Sequence, residues 1–416
     1  FKFGDGFETP ASFRLAYQSP VVVGWHDSTL AKIDTLVLEA IESEATPGSQ
    51  ILVAKDGKVV YHKTFGHHTY DKKQAVAKTD LYDLASITKI ASTTLALMKL
   101  NEGGKFELDK KLSDYLPELD TTALKNVMVR DVLAHQAGLE AWIPFYLETM
   151  NDNGRLNTDD YRKVADTTFC IPVANGIFMN KNYQDSMYAR ILNSKIKRAG
   201  DYRYSDVGLY LFRRIIEKLT GETLDQYVEK HFYQPLGINL TFNPLDKHPT
   251  SRIVPSENDE YFRNQVLQGH VHDMGAAMMG GVEGHAGLFG NANDLAVLMQ
   301  MLLNGGTYGG QRYFHPITIK KFTAKQFKDN RRGLGFDKPE PDRDVDGPTC
   351  KEAPLSVFGH TGFTGTCAWA DPDNNMIYIF LSNRTYPTME NKKLVRENYR
   401  TRIQEVIYEA MGVEKD

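Results

Sequence analysis

A chain of 416 residues is longer than one hydrophobic core usually holds, so two lobes, or one domain with a large insertion, are expected. Hydrophobic residues make up 41% and charged residues 25%, with a net charge of −4. That balance suits a soluble globular enzyme and offers no basic face for nucleic acid or an anionic membrane surface. Cys170, Cys350 and Cys367 are far apart and form no CxxC pair, which argues against a disulfide framework and a zinc site, although one bridge can still form. No apolar run approaches the ~18 residues of a membrane span. The first residue is Phe1, which predicts a processed or excised chain.

The opening stretch, residues 1–26, reads as an irregular arm. Asp27 or Ser28 can cap a helix carrying Leu30, Ile33, Leu36, Val37, Ala40 and Ile41 at helical spacing, with Pro47-Gly48 as its stop. Strands over Gln50–Lys55 and Lys58–Phe65 follow, joined at Asp56-Gly57, a strong hairpin signal. From 80 to 306 the chain reads mostly as helices and loops, with helices from Ser86, over Ser205–Lys218, Leu224–Phe232 and Asn293–Leu303. Asp329–Pro348, rich in charge, Pro and Gly, is the expected mobile loop. Short β runs return at Leu355–Phe358, Thr366–Ala370 and Met376–Ser382. A last amphipathic helix places Val395, Tyr399, Ile403, Val406, Ile407 and Ala410 on one face. The order predicts an α/β (α+β) fold. Residues 27–79 and 307–416 would build an antiparallel sheet covered by terminal helices, and 80–306 an inserted helical lobe with a cleft between the two.

Three short motifs carry chemistry. In Ser86-Ile87-Thr88-Lys89 the lysine can reach the serine across one helical turn, and a base is what a hydroxyl needs to become a nucleophile. The apolar run behind it (Ile90, Ala91, Leu95, Leu97, Met98, Leu100) predicts burial, which favours a neutral amine. The four residues alone fit a helix cap followed by a surface lysine equally well, and Ser194-Lys195-Ile196-Lys197 matches the pattern by chance. In Tyr204-Ser205-Asp206 a phenol and a short polar side chain can both point into a cleft. The plain alternative is a helix cap, and Tyr183-Gln184-Asp185 fits the same template. Gly359-His360-Thr361-Gly362-Phe363-Thr364-Gly365 lacks the setting of a phosphate loop. It fits either an edge strand that presents a backbone N–H to an oxyanion or a glycine-rich turn.

Taken together and in this order, the motifs resemble those of the serine β-lactamase and penicillin-binding-protein superfamily. Met128–Leu139 and Gly284–Phe289 are similar to segments of its class C-like and esterase-like branch. The likeness runs from about Thr46 to Met411. It implies that Ser86 forms an acyl-enzyme, that Lys89 helps deprotonate it, and that Tyr204 is partner base and leaving-group acid. It also implies an oxyanion site between the backbone N–H groups of Ser86 and Phe363 and substrate contacts at Asp206, His360, Thr361 and Gly362. No metal or other cofactor is implied. Asp206 stands where Asn is usual and His360 where Lys is usual. An aspartate repels an anionic substrate and a neutral histidine supplies no fixed charge. The expectation is therefore a hydrolase of an ester or a peptide-like amide, with a cell-wall muropeptide as one substrate. A D,D-peptidase or weak β-lactamase is the nearest rival, and a non-hydrolytic peptidoglycan-binding module is the rival from another class. The resemblance further implies a periplasmic or envelope location. Arg14-Leu15-Ala16-Tyr17 and Leu30-Ala31-Lys32-Ile33-Asp34 resemble modules fused behind a family 3 glycoside hydrolase acting on β-N-acetylglucosamine linkages, so an upstream domain of that kind is a further expectation.

Other signals are discounted. His270-x-His272-Asp273 could ligate zinc but has no third partner at clear spacing. His135 and His285 are expected to satisfy buried backbone groups, and His67-His68 to be solvated. Trp142–Tyr146 is either core or one wall of the cleft.

Overall fold

The structure is a computed structural model and describes residues 13–413. Residues 1–12 of the expected arm lie outside it. A six-stranded sheet runs in the order Ala16–Tyr17, Lys58–Gly66, Gly48–Lys55, Met376–Ser382, Cys367–Asp371, Phe358–Thr361. The first pair is parallel and the others antiparallel. Alternation divides its two faces, as the two-residue period of a strand requires. Ile51, Val53, Tyr378 and Phe380 face the terminal helices Asp27–Glu42 and Tyr399–Ala410. Leu52, Ala54, Ile377 and Ile379 belong to the larger core shared with the middle of the chain. The Ala292–Leu303 helix, capped by Asn291 Oδ1 on the Asp294 N–H at 2.9 Å, packs on this second face.

Several expectations shift. The first helix ends at Glu42, short of Pro47-Gly48, because Glu44 takes φ +57° and the Ala45 N–H turns back to the Ala40 carbonyl at 2.8 Å, and Gly48 already pairs with Gly66 in the sheet. The first tail strand covers Phe358–Thr361 rather than Leu355–Phe358: Leu355 is exposed, and the Val357 N–H turns back to the Pro354 carbonyl at 3.0 Å. The last helix is broken at Asn398 (φ +52°), which leaves Lys393–Arg396 as a separate turn and Val395 exposed. Within the middle block, Phe169–Ala174 and Ile177–Asn180 form a hairpin, and Tyr82–Asp83, Leu288–Gly290 and Thr241–Phe242 a small sheet. The Asp329–Pro348 stretch is anchored, not loose. Asp337 extends the outer sheet edge through paired backbone bonds with Gly359 (2.8 and 3.0 Å) and is buried, as are Arg332 and Lys338. His68 is also buried rather than solvated, with Nε2 2.8 Å from Asp80 Oδ2. All three cysteines are free thiols. Among the described residues no helix is long and apolar enough to cross a membrane.

Candidate active site

Local folding sets the geometry. Asp83 Oδ1 accepts the Ala85 N–H at 2.8 Å and holds Ala85 at φ +46°, an uncommon conformation for a residue with a Cβ. Ser86 follows this bend. The Lys89 N–H then bonds the Ser86 carbonyl at 3.0 Å, a three-residue turn that stacks the two side chains. Residues Lys89–Thr93 continue as a π-helical turn before the regular Thr94–Glu102 helix. The Tyr82–Asp83 strand pairs with Phe289-Gly290, which draws the 284–287 loop against this turn.

At the centre, Lys89 Nζ is almost fully buried and donates to Ser86 Oγ at 2.8 Å and to the His285 carbonyl at 3.2 Å, and it lies 2.7 Å from Asp206 Oδ1. Two of the ammonium's N–H groups thus find acceptors, and the Asp206 carboxylate lies within ion-pair distance of its charge. Burial disfavours the ammonium, but the Asp206 carboxylate and the Tyr204 phenol outweigh it and raise its pKa. The neutral amine expected from burial alone is thus replaced by a paired cation. The Tyr204 hydroxyl donates to Ser86 Oγ at 2.8 Å. Burial raises the phenol's pKa more than Lys89 and Arg332 lower it, so Tyr204 stays protonated. Ser205 does not enter the cleft. Its Oγ donates to the Glu140 carbonyl at 2.6 Å, and its N–H bonds His135 Nδ1 at 3.2 Å, which fixes the Tyr204–Asp206 segment from behind. Asp206 opens the Val207–Thr220 helix but makes no side-chain cap, since its carboxylate is turned to Lys89.

The third motif forms the opposite wall. Gly362 closes a turn on Thr366 (2.8 Å) and packs against Ala85. A Cβ at Gly362 would lie 2.1 Å from Thr366 Oγ1 and 2.6 Å from the Leu84 carbonyl, so only glycine allows this approach. The backbone N–H groups of Ser86 and Phe363 donate to no protein acceptor among the described residues. Thr361 lines the cavity that holds Ser86, about 630 Å³ in volume. Trp142 lines it as well, whereas Ile143 and Phe145 are core, so the aromatic cluster serves both purposes.

His360 is buried, its Nδ1 is 2.6 Å from the Thr361 carbonyl, and Arg332 Nη1 is 3.0 Å from its Nε2. A carbonyl can only accept and a guanidinium only donate, so Nδ1 carries the proton and Nε2 is bare. Burial and the Arg332 charge pull the imidazole down to about 3. The unfolded chain takes up this proton near pH 6.5, so stability falls as pH drops through that window, by about 1.4 kcal/mol per unit for this group. His62 and His270, pulled by burial to about 4, add to the slope, while His285, held up by Asp273 against its burial, opposes it. The thermal midpoint is expected to fall between pH 7 and 5, with a shallower fall in His360→Gln; an equal fall in both proteins would refute the assignment.

The sequence motifs did not reveal the arginines. Arg331 and Arg332 share Asp337 (2.8 and 3.3 Å), and Arg332 Nη2 reaches the Tyr202 hydroxyl at 3.2 Å. The Arg-Arg pair inside the supposed mobile loop was the available signal. Of the discounted groups, His135 accepts from the Ser205 backbone as expected, whereas His285 bonds Asp273 Oδ1 at 2.9 Å and His272 lies 2.9 Å from Glu257 Oε2.

Known proteins give the arrangement a family. The sequence model of the Beta-lactamase family matches residues 33–399. A protein of Escherichia coli (strain K12) named "Putative D-alanyl-D-alanine carboxypeptidase" is 33% identical over 398 residues, covering 89% of this chain and 86% of its own. The fold is similar to a crystal structure of a penicillin-binding protein homologue from Caulobacter crescentus (TM-score 0.64, 20% identity, 93% of this chain and 99% of the other). It is also similar to a class C β-lactamase (TM-score 0.62, 18% identity, 93% and 98%). The chain belongs to the β-lactamase family and is a serine hydrolase of the β-lactamase and penicillin-binding-protein superfamily.

Proposed function

We propose that the protein is an acyl-enzyme hydrolase of peptide-like amides that end in a free carboxylate, the class to which D-alanyl-D-alanine peptides belong. The observation that carries this reading is Arg332 on His360. The sequence offered only a neutral histidine where a lysine is usual, and the structure stands a buried guanidinium behind it. The outer nitrogens of Arg332 rest on neutral acceptors, His360 Nε2 and the Tyr202 hydroxyl, which a carboxylate can displace. Asp206 meanwhile is offset by Lys89 and presents no free charge to an anion.

In this reading Ser86 Oγ adds to the carbonyl carbon. Its proton passes to Lys89 as Lys89 releases one to Asp206. The oxyanion faces the backbone N–H groups of Ser86 and Phe363, donors of a kind typically worth a few kcal/mol in the transition state. The C–N bond breaks as Tyr204 protonates the leaving nitrogen, and the proton held by Asp206 returns through Lys89 to the phenolate. Water then hydrolyses the acyl-Ser86 ester. Thr361 and Gly362 line the substrate's path. An envelope location fits this substrate class and rests on the relatives alone. The N-terminal likeness to modules behind a glycoside hydrolase adds no chemistry, because Arg14 lies over the Tyr308 ring and Leu30 and Ile33 are core.

Turnover of an acyl-D-Ala-D-Ala peptide, p-nitrophenyl acetate and nitrocefin tests the reading. Release of D-alanine is expected to give the highest kcat/KM. Ester turnover without D-alanine release would replace the reading with an esterase, and tight peptide binding without any turnover would favour a binding module.

A further inference from the structure

We propose that the cavity holds a second anion subsite, built by Arg384 and Arg400 beyond Phe363, which takes a carboxylate carried on the acyl side of the scissile bond. The proposal rests on the acyl-Ser86 reading above.

Both arginines line the cavity that contains Ser86. Arg384 is 3% exposed, its Nη1 donates to the Met389 and Asn391 carbonyls (3.2 and 2.7 Å), and its guanidinium lies 4.6 Å from the centre of the Phe363 ring. Its Nε is buried with no hydrogen-bond partner. Arg400 Nη1 donates to the Thr366 carbonyl at 2.9 Å. Among the described residues neither guanidinium has a carboxylate within ion-pair distance. Two acidic groups act on Arg384 from further off. Glu257 is engaged by the Tyr261 hydroxyl (2.8 Å), the Met389 N–H (2.6 Å) and His272 (2.9 Å), and Glu390 is an exposed partner of Lys392 (3.8 Å). Burial and the charge of Arg400 pull the Arg384 guanidinium down to about 10. A buried guanidinium that feels a second, half-buried cation and has no carboxylate in contact is costly, and an anion supplied by a ligand removes the cost.

Position along the 360–366 segment assigns the side. Arg332 bonds His360 at its start, whereas the Arg384 N–H takes the Thr364 carbonyl (3.0 Å) and Arg400 takes that of Thr366 at its end. Gly362 lies between them against Ala85, next to Ser86. With the leaving group's carboxylate at Arg332, the other arginines face the acyl portion. Met389 and Val395, which line the same cavity, give an apolar flank for a methylene stem.

Mono-p-nitrophenyl glutarate and p-nitrophenyl butyrate test this, since they share a leaving group and differ in an acyl-side carboxylate. After division by their alkaline hydrolysis rates, the wild-type kcat/KM ratio is expected to favour glutarate about tenfold at low salt and to shrink as salt rises. In Arg400→Gln, and in Arg384→Lys as a milder change at the more buried site, the ratio is expected to drop at least ~3-fold in the first and less in the second. A wild-type ratio at or below one, or a ratio unmoved in Arg400→Gln, overturns the subsite. Failure to turn over either ester, with no fluorophosphonate label on Ser86, overturns the acyl-enzyme reading and the subsite with it.

Discussion

Replacing Ser86 by alanine is expected to abolish covalent labelling by a fluorophosphonate probe and to lower kcat/KM on the order of 10⁴-fold or more. The size of the loss follows from the site's connectivity. Ser86 Oγ accepts from both Lys89 and Tyr204 at 2.8 Å, so the attack and the first proton transfer described above both begin at that oxygen. Alanine removes it and leaves the Lys89 ammonium with Asp206 and the His285 carbonyl, so the fold should survive with a modest change in thermal midpoint. Lys89→Ala is the contrasting case. It should lose comparable activity, but it also strands Asp206 without its cation in a partly closed site, which typically costs ~3–5 kcal/mol. A Ser86→Ala protein that retained labelling or turnover would move the nucleophile elsewhere. A Lys89→Ala protein as stable as wild type would mean that the Asp206 pair is not the charge balance it is taken to be.

The parts of this site that sequence made legible are those whose chemistry is local. Ser86 and Lys89 lie one turn apart, Tyr204 and Asp206 flank one helix start, and the glycines of 359–365 announce a backbone that must come close to something. Burial of Lys89 could also be read from the apolar run around it, but its charge state could not. Burial alone argues for a neutral amine, and the opposing carboxylate comes from a helix more than a hundred residues away. The arginines escaped notice for a similar reason. Composition marked 329–348 as loose, while its order comes from Asp337 pairing with Gly359 on the sheet edge and from Arg332 burying its head on His360. The split of the last helix turned on Asn398 adopting φ +52°, which no hydrophobic period reveals. The strands Gln50–Lys55 and Met376–Ser382 were legible as β-rich runs, but their division between two cores was not, because both segments are apolar almost throughout and buried on both faces.

Asp206→Asn tests the charge arrangement most sharply, because it changes a carboxylate to a neutral group of the same shape. In the wild type Asp206 raises the pKa of both Lys89 and Tyr204. Removing it takes away the largest influence that holds Lys89 as an ammonium, and burial, which acts in the other direction, then pulls the amine down. Removal also takes away a negative charge that opposes the phenolate, which Arg332 still favours. Both changes make a base available at lower pH. The pH at which fluorophosphonate labelling reaches half its maximum is therefore expected to move downward, with a labelling rate at pH 7 on the order of ten- to a hundredfold higher than in the wild type. The opposite result has a definite meaning. Should labelling at pH 7 fall in Asp206→Asn, with the profile unmoved, then Asp206 is needed as the proton's resting place and not merely as the charge that restrains Lys89. In the wild type Lys89 is a cation at rest and reaches its basic form by handing a proton to that carboxylate, whereas in Asp206→Asn burial, no longer opposed by Asp206, favours the neutral amine.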